Sequence, residues 1–145
     1  MLSYKESYPN LSLFPANIVN HNFTSSIYSI IVDIGKKSNI SLNQAVIDMN
    51  GLVGKTITVG NRASKIQMIN DKNFAVSVKV GEDVILSIFK PKHGKYGYLE
   101  GVIKSSNIQL GDIVYTSGIS EIYPVDIPVA KVINIQKLKK KPFQD

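Results

Sequence analysis

Ser117 is the residue whose setting most invites a chemical reading. It lies in "GDIVYTSGISEIYP" (Gly111 to Pro124), with His21 and His93 upstream and aspartates between and around them. His, then Asp, then Ser is a chain order that serine hydrolases use, with serine as nucleophile and histidine as general base. Such a site also needs an oxyanion hole and a histidine within hydrogen-bond reach. His21 sits in the polar run "VNHNFTSS", which reads as a surface turn, and His93 sits in the lysine-rich "KPKHGKYG". No pair of glycines follows Ser117. The plainer expectation is a hairpin corner. There Gly118 supplies positive φ, Thr116 and Ser117 hydroxyls cap turn amides, and Pro124 and Pro128 stiffen the loop. Catalytic residues are expected to be absent.

Other chemistry has less support. There is no cysteine, and the two histidines are widely spaced, so no metal-ligand cluster can be written and no cofactor is expected. "GLVGK" (Gly51 to Lys55) lacks the spacing of a phosphate loop. The chain carries 17 basic and 11 acidic residues, for a net charge of +6, and Arg62 is its one arginine. Scarce arginine argues against sequence-reading of nucleic acid. The C-terminal run "KLKKKP" reads as a solvated end, with an anionic partner as the alternative. No run of about 18 apolar residues is present to span a bilayer as a helix.

Tyr96 and Tyr98, in "GKYGYLEG", alternate onto one strand face. Exposed, they would form a rigid amphipathic contact surface; buried, they would be ordinary β-core tyrosines. Phe89 and Tyr123 lie near the same loops, and together these four are the candidate partner-binding residues. Lys90, Lys92 and Lys95 would form a basic rim that steers an acidic partner.

The elements that must position these residues read as strands. "SIYSIIVDI" alternates strictly, and "SKIQMI", "FAVSVKV", "DVILSIF", "KYGYLEGVI", "DIVYTSG" and "PVAKVINIQKL" follow between Asn, Asp and Gly punctuation. "QAVIDMNGLVGKTITV" reads as a hairpin around Asn50-Gly51, a type I′ turn signal, with Gly54 in the return strand. Helical turns are conceivable only around residues 3–8 and 61–64. The class is all-β, with eleven or twelve short strands.

An internal repeat organises these strands. "KKSNISLNQAVI" (Lys36 to Ile47) aligns with "KSSNIQLGDIVY" (Lys104 to Tyr115), and "LVGKTITV" aligns with "PVAKVINI". In this alignment Ser117 falls where Met49 falls in the first copy, and the tight first connection becomes the longer "TSGISEIYPVDI". Two tandem-related subdomains of about six strands each, small barrels or sandwiches, are expected over residues 16–69 and 70–140, with 1–15 as a lead segment.

These motifs together carry a family resemblance. "DIGKKSNISLNQAVIDMNGLVGKTITV" followed by "GDIVYTSGISEIYPVDIPVAKVINI" resembles the periplasmic part of the bacterial rod-shape-determining MreC family, over about Ile18 to Lys137. The chain departs from the family pattern at Val125-Asp126 and at Ala130, both in or after the long second connection. The resemblance implies two β-barrel-like subdomains following a coiled coil and a transmembrane anchor. It also implies a non-enzymatic, extracytoplasmic scaffold of the cell-elongation and peptidoglycan-synthesis machinery. The implied partners are the elongation-specific penicillin-binding transpeptidase and other membrane elongation proteins, with self-association possible and nucleic acid not expected. Read without the resemblance, the residues leave two rivals: a serine hydrolase using Ser117, and a small β-barrel nucleic-acid binder.

Overall fold

In a computed structural model, residues 13–24, 27–81, 84–93, 95–103, 107–119, 122–135 and 143–144 are described. They form an all-β protein with no α-helix among them. Among the described residues the single helical feature is a 3₁₀ turn at Lys36–Ser38, and residues 61–64 are a bend leading into a strand. The possible turn at residues 3–8 lies outside the described residues. The chain divides into two compact units, Met1–Asp71 and Lys72–Asp145. Among the described residues each main sheet has five strands.

In the first unit, β1 (Ile18–Phe23), β2 (Tyr28–Val32), β3 (Ala45–Asp48), β4 (Gly51–Val59) and β5 (Ser64–Met68) pair in the order β1-β2-β5-β4-β3, all antiparallel. Period-two alternation directs Ile30, Val32 and Ile66 into a core, closed by Ile34, Val46, Val53 and Met68. Gly54 is fixed by close approach: a Cβ there would lie 1.8 Å from the Gln67 carbonyl oxygen, so only glycine lets β4 cross β5 at this distance. At the sheet's edge β1 is exposed along its whole length. His21 therefore belongs to an edge strand and not to the surface turn expected from its polar neighbours. The polar side chains of Asn20 and Asn22 fit this edge because β1 has no core to enter. Asp33 anchors the entry to β1, accepting from the Asn17 backbone N–H (2.7 Å) and side-chain amide (3.2 Å). The backbone bond first, and the amide second, hold the Asp33 carboxyl below the ordinary carboxylate range. The buried Asp71 carboxylate accepts from the Tyr28 N–H and from the Gln67 amide, each at 3.0 Å, and so ties the unit's last residue to β2 and β5.

In the second unit, β6 (Val76–Val80), β7 (Ile85–His93), β8 (Tyr96–Glu100), β10 (Ile113–Thr116) and β11 (Pro128–Lys131) pair in the order β11-β10-β6-β7-β8. A small second sheet joins β9 (Val102–Ile103) to β12 (Phe143–Gln144). The inward face follows from register. Val78 lies opposite Thr116 and Ser87, Val80 opposite Val114, and Val76 opposite Phe89, and all seven are buried. Ile127 and Tyr123, from the connection before β11, complete this core, with Phe74 edge-to-face against Tyr123 at 6.1 Å.

The internal repeat appears as one hairpin built twice. In β3–β4, Val46 faces Gly54 and Ala45 faces Lys55; in β10–β11, Val114 faces Ala130 and Ile113 faces Lys131. The register shifts after Val46 in one and after Val114 in the other. The turns leading in match as well. Asn43 and Gly111 hold φ of 60° and 91°, and their N–H groups bond the carbonyls of Thr56 (2.9 Å) and Val132 (2.8 Å).

Candidate partner-binding surface

The corner around Ser117 is a structural turn. Its N–H donates to the Ser77 carbonyl (3.1 Å), and its hydroxyl accepts the Ile119 N–H (3.3 Å). Gly118 holds φ of 78°. Thr116, fully buried, closes the connection: its hydroxyl donates to the Pro124 carbonyl and accepts the Ile127 N–H at 2.9 Å. Pro128 opens the edge strand β11, where the missing N–H costs little. His21 lies in the first unit, its ring stacked on Phe23 at 4.6 Å. Among the described residues no three His, Asp or Glu side chains gather as a metal site would require.

The first hairpin corrects one expectation about its turn. Asp48 pairs with Gly51, so the two turn residues are Met49 and Asn50 rather than Asn50 and Gly51. The Asp48 carboxylate accepts the N–H groups of Asn50 (2.8 Å) and Gly51 (3.1 Å), an Asx turn that replaces the type I′ geometry. Gly51, first residue of the return strand, still requires glycine, with φ of 134°.

The four aromatic candidates separate into two pairs. Phe89, 7% exposed, covers Gly97: a Cβ at Gly97 would meet two atoms of its ring at 2.5 Å. Tyr123 is 5% exposed, and its buried hydroxyl has no hydrogen-bond partner among the described residues. Burial pushes its phenol up to about 12. Both are core residues, so neither can be a contact anchor in this conformation. Tyr96, by contrast, is 46% exposed, with the Lys95 ammonium 5.7 Å from its ring centre, and Tyr98 is half-buried on edge strand β8, opposite Lys90. Lys90 pairs with Glu100 at 2.6 Å, and this hydrogen bond chiefly raises the lysine's pKa. Lys92 is exposed.

The register also places two residues on this surface that the sequence pattern did not single out. In β7, Ser87 and Phe89 point inward, so Leu86 (53% exposed) and Ile88 (42%) point outward, on the face that carries Tyr98. In "DVILSIF" the wholly apolar phase of Val84, Leu86 and Ile88 faces out and the phase that holds Ser87 and Phe89 faces in, so alternation alone could not say which phase enters the core.

Comparison with known proteins fixes the family. The sequence profile described as "Rod shape-determining protein MreC, barrel core" matches residues 18–145. The chain belongs to the MreC family. Among curated relatives, the cell shape-determining protein MreC of Haemophilus influenzae is 30% identical over 109 residues, covering 74% of this chain and 31% of that protein. The Escherichia coli MreC is 27% identical over 109 residues, covering 74% and 29%. The chain thus spans under a third of the length of these two relatives. The fold is shared with solved structures. These include an MreC chain (TM-score 0.89, 20% identity, 97% of this chain and 81% of that one) and MreC from Pseudomonas aeruginosa (0.86, 21%, 92% and 87%). They also include a structure titled as a complex between penicillin-binding protein PBP2 and MreC from Helicobacter pylori (0.71, 19%, 90% and 82%). MreC is a family of structural cell-shape proteins and not of enzymes, in keeping with a Ser117 hydroxyl that serves its own turn.

Proposed function

We propose that this domain is an extracytoplasmic scaffold of the cell-elongation machinery, and that it binds a penicillin-binding transpeptidase through its second unit. The observation that carries the reading is the pair of tyrosines on edge strand β8, Tyr96 exposed and Tyr98 half-buried, in a family that determines cell shape. The Helicobacter pylori MreC, which shares the fold, is titled as a complex with PBP2. Among the described residues no helix is long and apolar enough to cross a membrane. Periplasmic placement, other membrane elongation partners and self-association belong to the same proposal.

The mechanism would be a population shift. A scaffold without catalytic groups favours the active arrangement of a transpeptidase only by binding that arrangement more tightly than the inactive one. Lys92 and Lys95 at the rim would raise the association rate with an acidic partner more than the affinity. The test is calorimetric titration of this chain with the penicillin-binding transpeptidase of the same organism. Tyr96→Ala and Tyr98→Ala are made singly, and circular dichroism confirms folding. Each truncated anchor should weaken binding by about 2 kcal/mol, roughly thirtyfold. Folded variants that bind like the wild type would move the surface away from β8.

A further inference from the structure

Asn50-Gly51 is the one Asn-Gly pair in the chain, and every other asparagine precedes a residue with a side chain. In that pair the glycine nitrogen can reach the asparagine side-chain carbonyl carbon with no Cβ in the way. Asn50 is exposed at the tip of the β3–β4 turn, and among the described residues its side-chain amide makes no hydrogen bond. Asn39 and Asn43 also stand in turns, with φ of 63° and 60°, but the nitrogens that follow them belong to Ile40 and Gln44, whose side chains crowd the approach. A single Asp48 carboxylate oxygen accepts both the Asn50 N–H and the Gly51 N–H, at 2.8 and 3.1 Å. That carboxylate holds the Gly51 nitrogen in its protonated form, because an amide anion beside a carboxylate is disfavoured by like charge.

We infer that Asn50 is a site of spontaneous covalent modification, with water as its co-reactant, and that the Asp48 carboxylate is the brake on it. The Gly51 nitrogen attacks Cγ of Asn50, and a C–N bond forms as the Cγ–Nδ2 bond breaks. Nδ2 leaves as ammonia, carrying the proton given up by the Gly51 nitrogen, and the product is a five-membered succinimide. Water opens that ring at Cγ to an aspartyl linkage, or at the main-chain carbonyl to an isoaspartyl one. Water is consumed and ammonia released, with no change of oxidation state. The isoaspartyl form lengthens the main chain by a carbon inside a two-residue turn, where Asp48 pairs with Gly51 and Ile47 with Leu52. Either product also places a second carboxylate beside Asp48, where like charges repel. β3 is an edge strand held on one side by β4, so the modification frees β3 while β4–β5 pairing remains, and it loosens Val46 from the core. The second unit escapes this chemistry at its matching corner, since Gly118 stands at the position aligned with Asn50.

The whole chain is incubated folded, and separately unfolded in urea, in mildly alkaline water enriched in heavy oxygen. Peptide mass mapping then locates each amide that has become an acid carrying the heavy oxygen, and isoaspartate detection separates the two linkages. Conversion of the folded chain should concentrate at Asn50, with isoaspartate present. It should run at least about tenfold slower than in urea, since the turn must open before the Gly51 nitrogen is released. Asp48→Ala and Asp48→Asn, checked for folding by circular dichroism, should speed it several-fold. The neutral amide in Asp48→Asn keeps an oxygen acceptor, so its rate shows what the charge contributes. A folded wild type in which Asn50 keeps its amide, or loses it more slowly than other asparagines, overturns the site. Equal rates folded and unfolded, or unchanged or slower conversion in the Asp48 variants, overturn the brake. Should Asp48→Ala unfold, Asp48→Asn decides on the same criteria. Aged wild type should melt at a lower temperature than fresh protein and exchange its β3 amides faster, whereas aged Asn50→Ser, which cannot cyclise, should match its own fresh sample. A converted wild type that melts like the fresh protein overturns the structural consequence.

Discussion

The two copies of the repeated hairpin share a register and differ in how they join their sheets. β3–β4 is attached through its second strand, β4, which pairs with β5, whereas β10–β11 is attached through its first strand, β10, which pairs with β6. This difference explains the motif residues that do not match. Gly54 lies in an interior strand pressed against the Gln67 carbonyl, so a methyl group has no room there. Its counterpart Ala130 lies in edge strand β11, half-buried, with a neighbour on one side. The loops diverge for a related reason. Asp48 closes a two-residue turn with its carboxylate, whereas Thr116, at the matching position, closes a long connection with its hydroxyl and leaves room for Tyr123 and Ile127 to enter the core. A shared local hairpin can thus serve two sheets, provided the residue at the crossing and the residue closing the loop are chosen for each.

The sharpest way to break this comparison is to exchange the residues at the crossing. Gly54→Ala should destabilise by about 3 kcal/mol or more, since the Cβ overlaps backbone that cannot turn aside. The reciprocal Ala130→Gly should cost only about 0.5–1 kcal/mol through chain entropy. Urea denaturation of both variants measures the asymmetry, and equal losses would mean that the two hairpins are packed alike.

Next in size are the loop-closing residues. Thr116→Val retains the shape but leaves the Ile127 N–H unpaired in a buried position, at a cost of about 1–3 kcal/mol. Asp48→Ala, in a partly solvated turn, should cost about 1 kcal/mol, because water can replace the carboxylate. Comparable thermal shifts for the two would contradict the view that only the second closure is a core element. Gly51→Ala tests the first turn separately: at φ of 134° an L-residue is strained by about 1–3 kcal/mol, and an unchanged melting temperature would count against that geometry.

The smallest effect is at Tyr123, whose buried hydroxyl has no partner among the described residues. Tyr123→Phe should be neutral or stabilising by up to about 1 kcal/mol below pH 10. With its folded pKa raised from 10.0 to about 12, the phenol favours folding through its protonated form. That contribution is complete below the unfolded pKa and is lost as pH rises through the folded one. Stability of the wild type should therefore fall from pH 10 to 12 more steeply than that of the phenylalanine variant. Parallel pH profiles would show that Tyr123 reaches solvent.

The sequence by itself determined the all-β class, the repeat and the family motifs, because these are local. Alternation in "VSVKV" assigns Val76, Val78 and Val80 to one face without reference to any other strand. The need for glycine at residue 51 was visible for the same reason, although the turn proved to be one residue earlier because the Asp48 carboxylate captures the Asn50 and Gly51 amides. Tertiary structure alone decided which phase of "DVILSIF" faces solvent, since each phase carries large apolar residues and only pairing with β6 and β8 puts the one with Ser87 and Phe89 inside. It likewise decided that Phe89 covers Gly97 and that Tyr123 enters the core, because aromatic residues beside loops suit either environment. His21 was misplaced on similar grounds: a polar run looks like a turn unless it can be known to pair as an edge strand. Local chemistry fixes which residues can share a face, and only the packing of strands against one another fixes which face is buried.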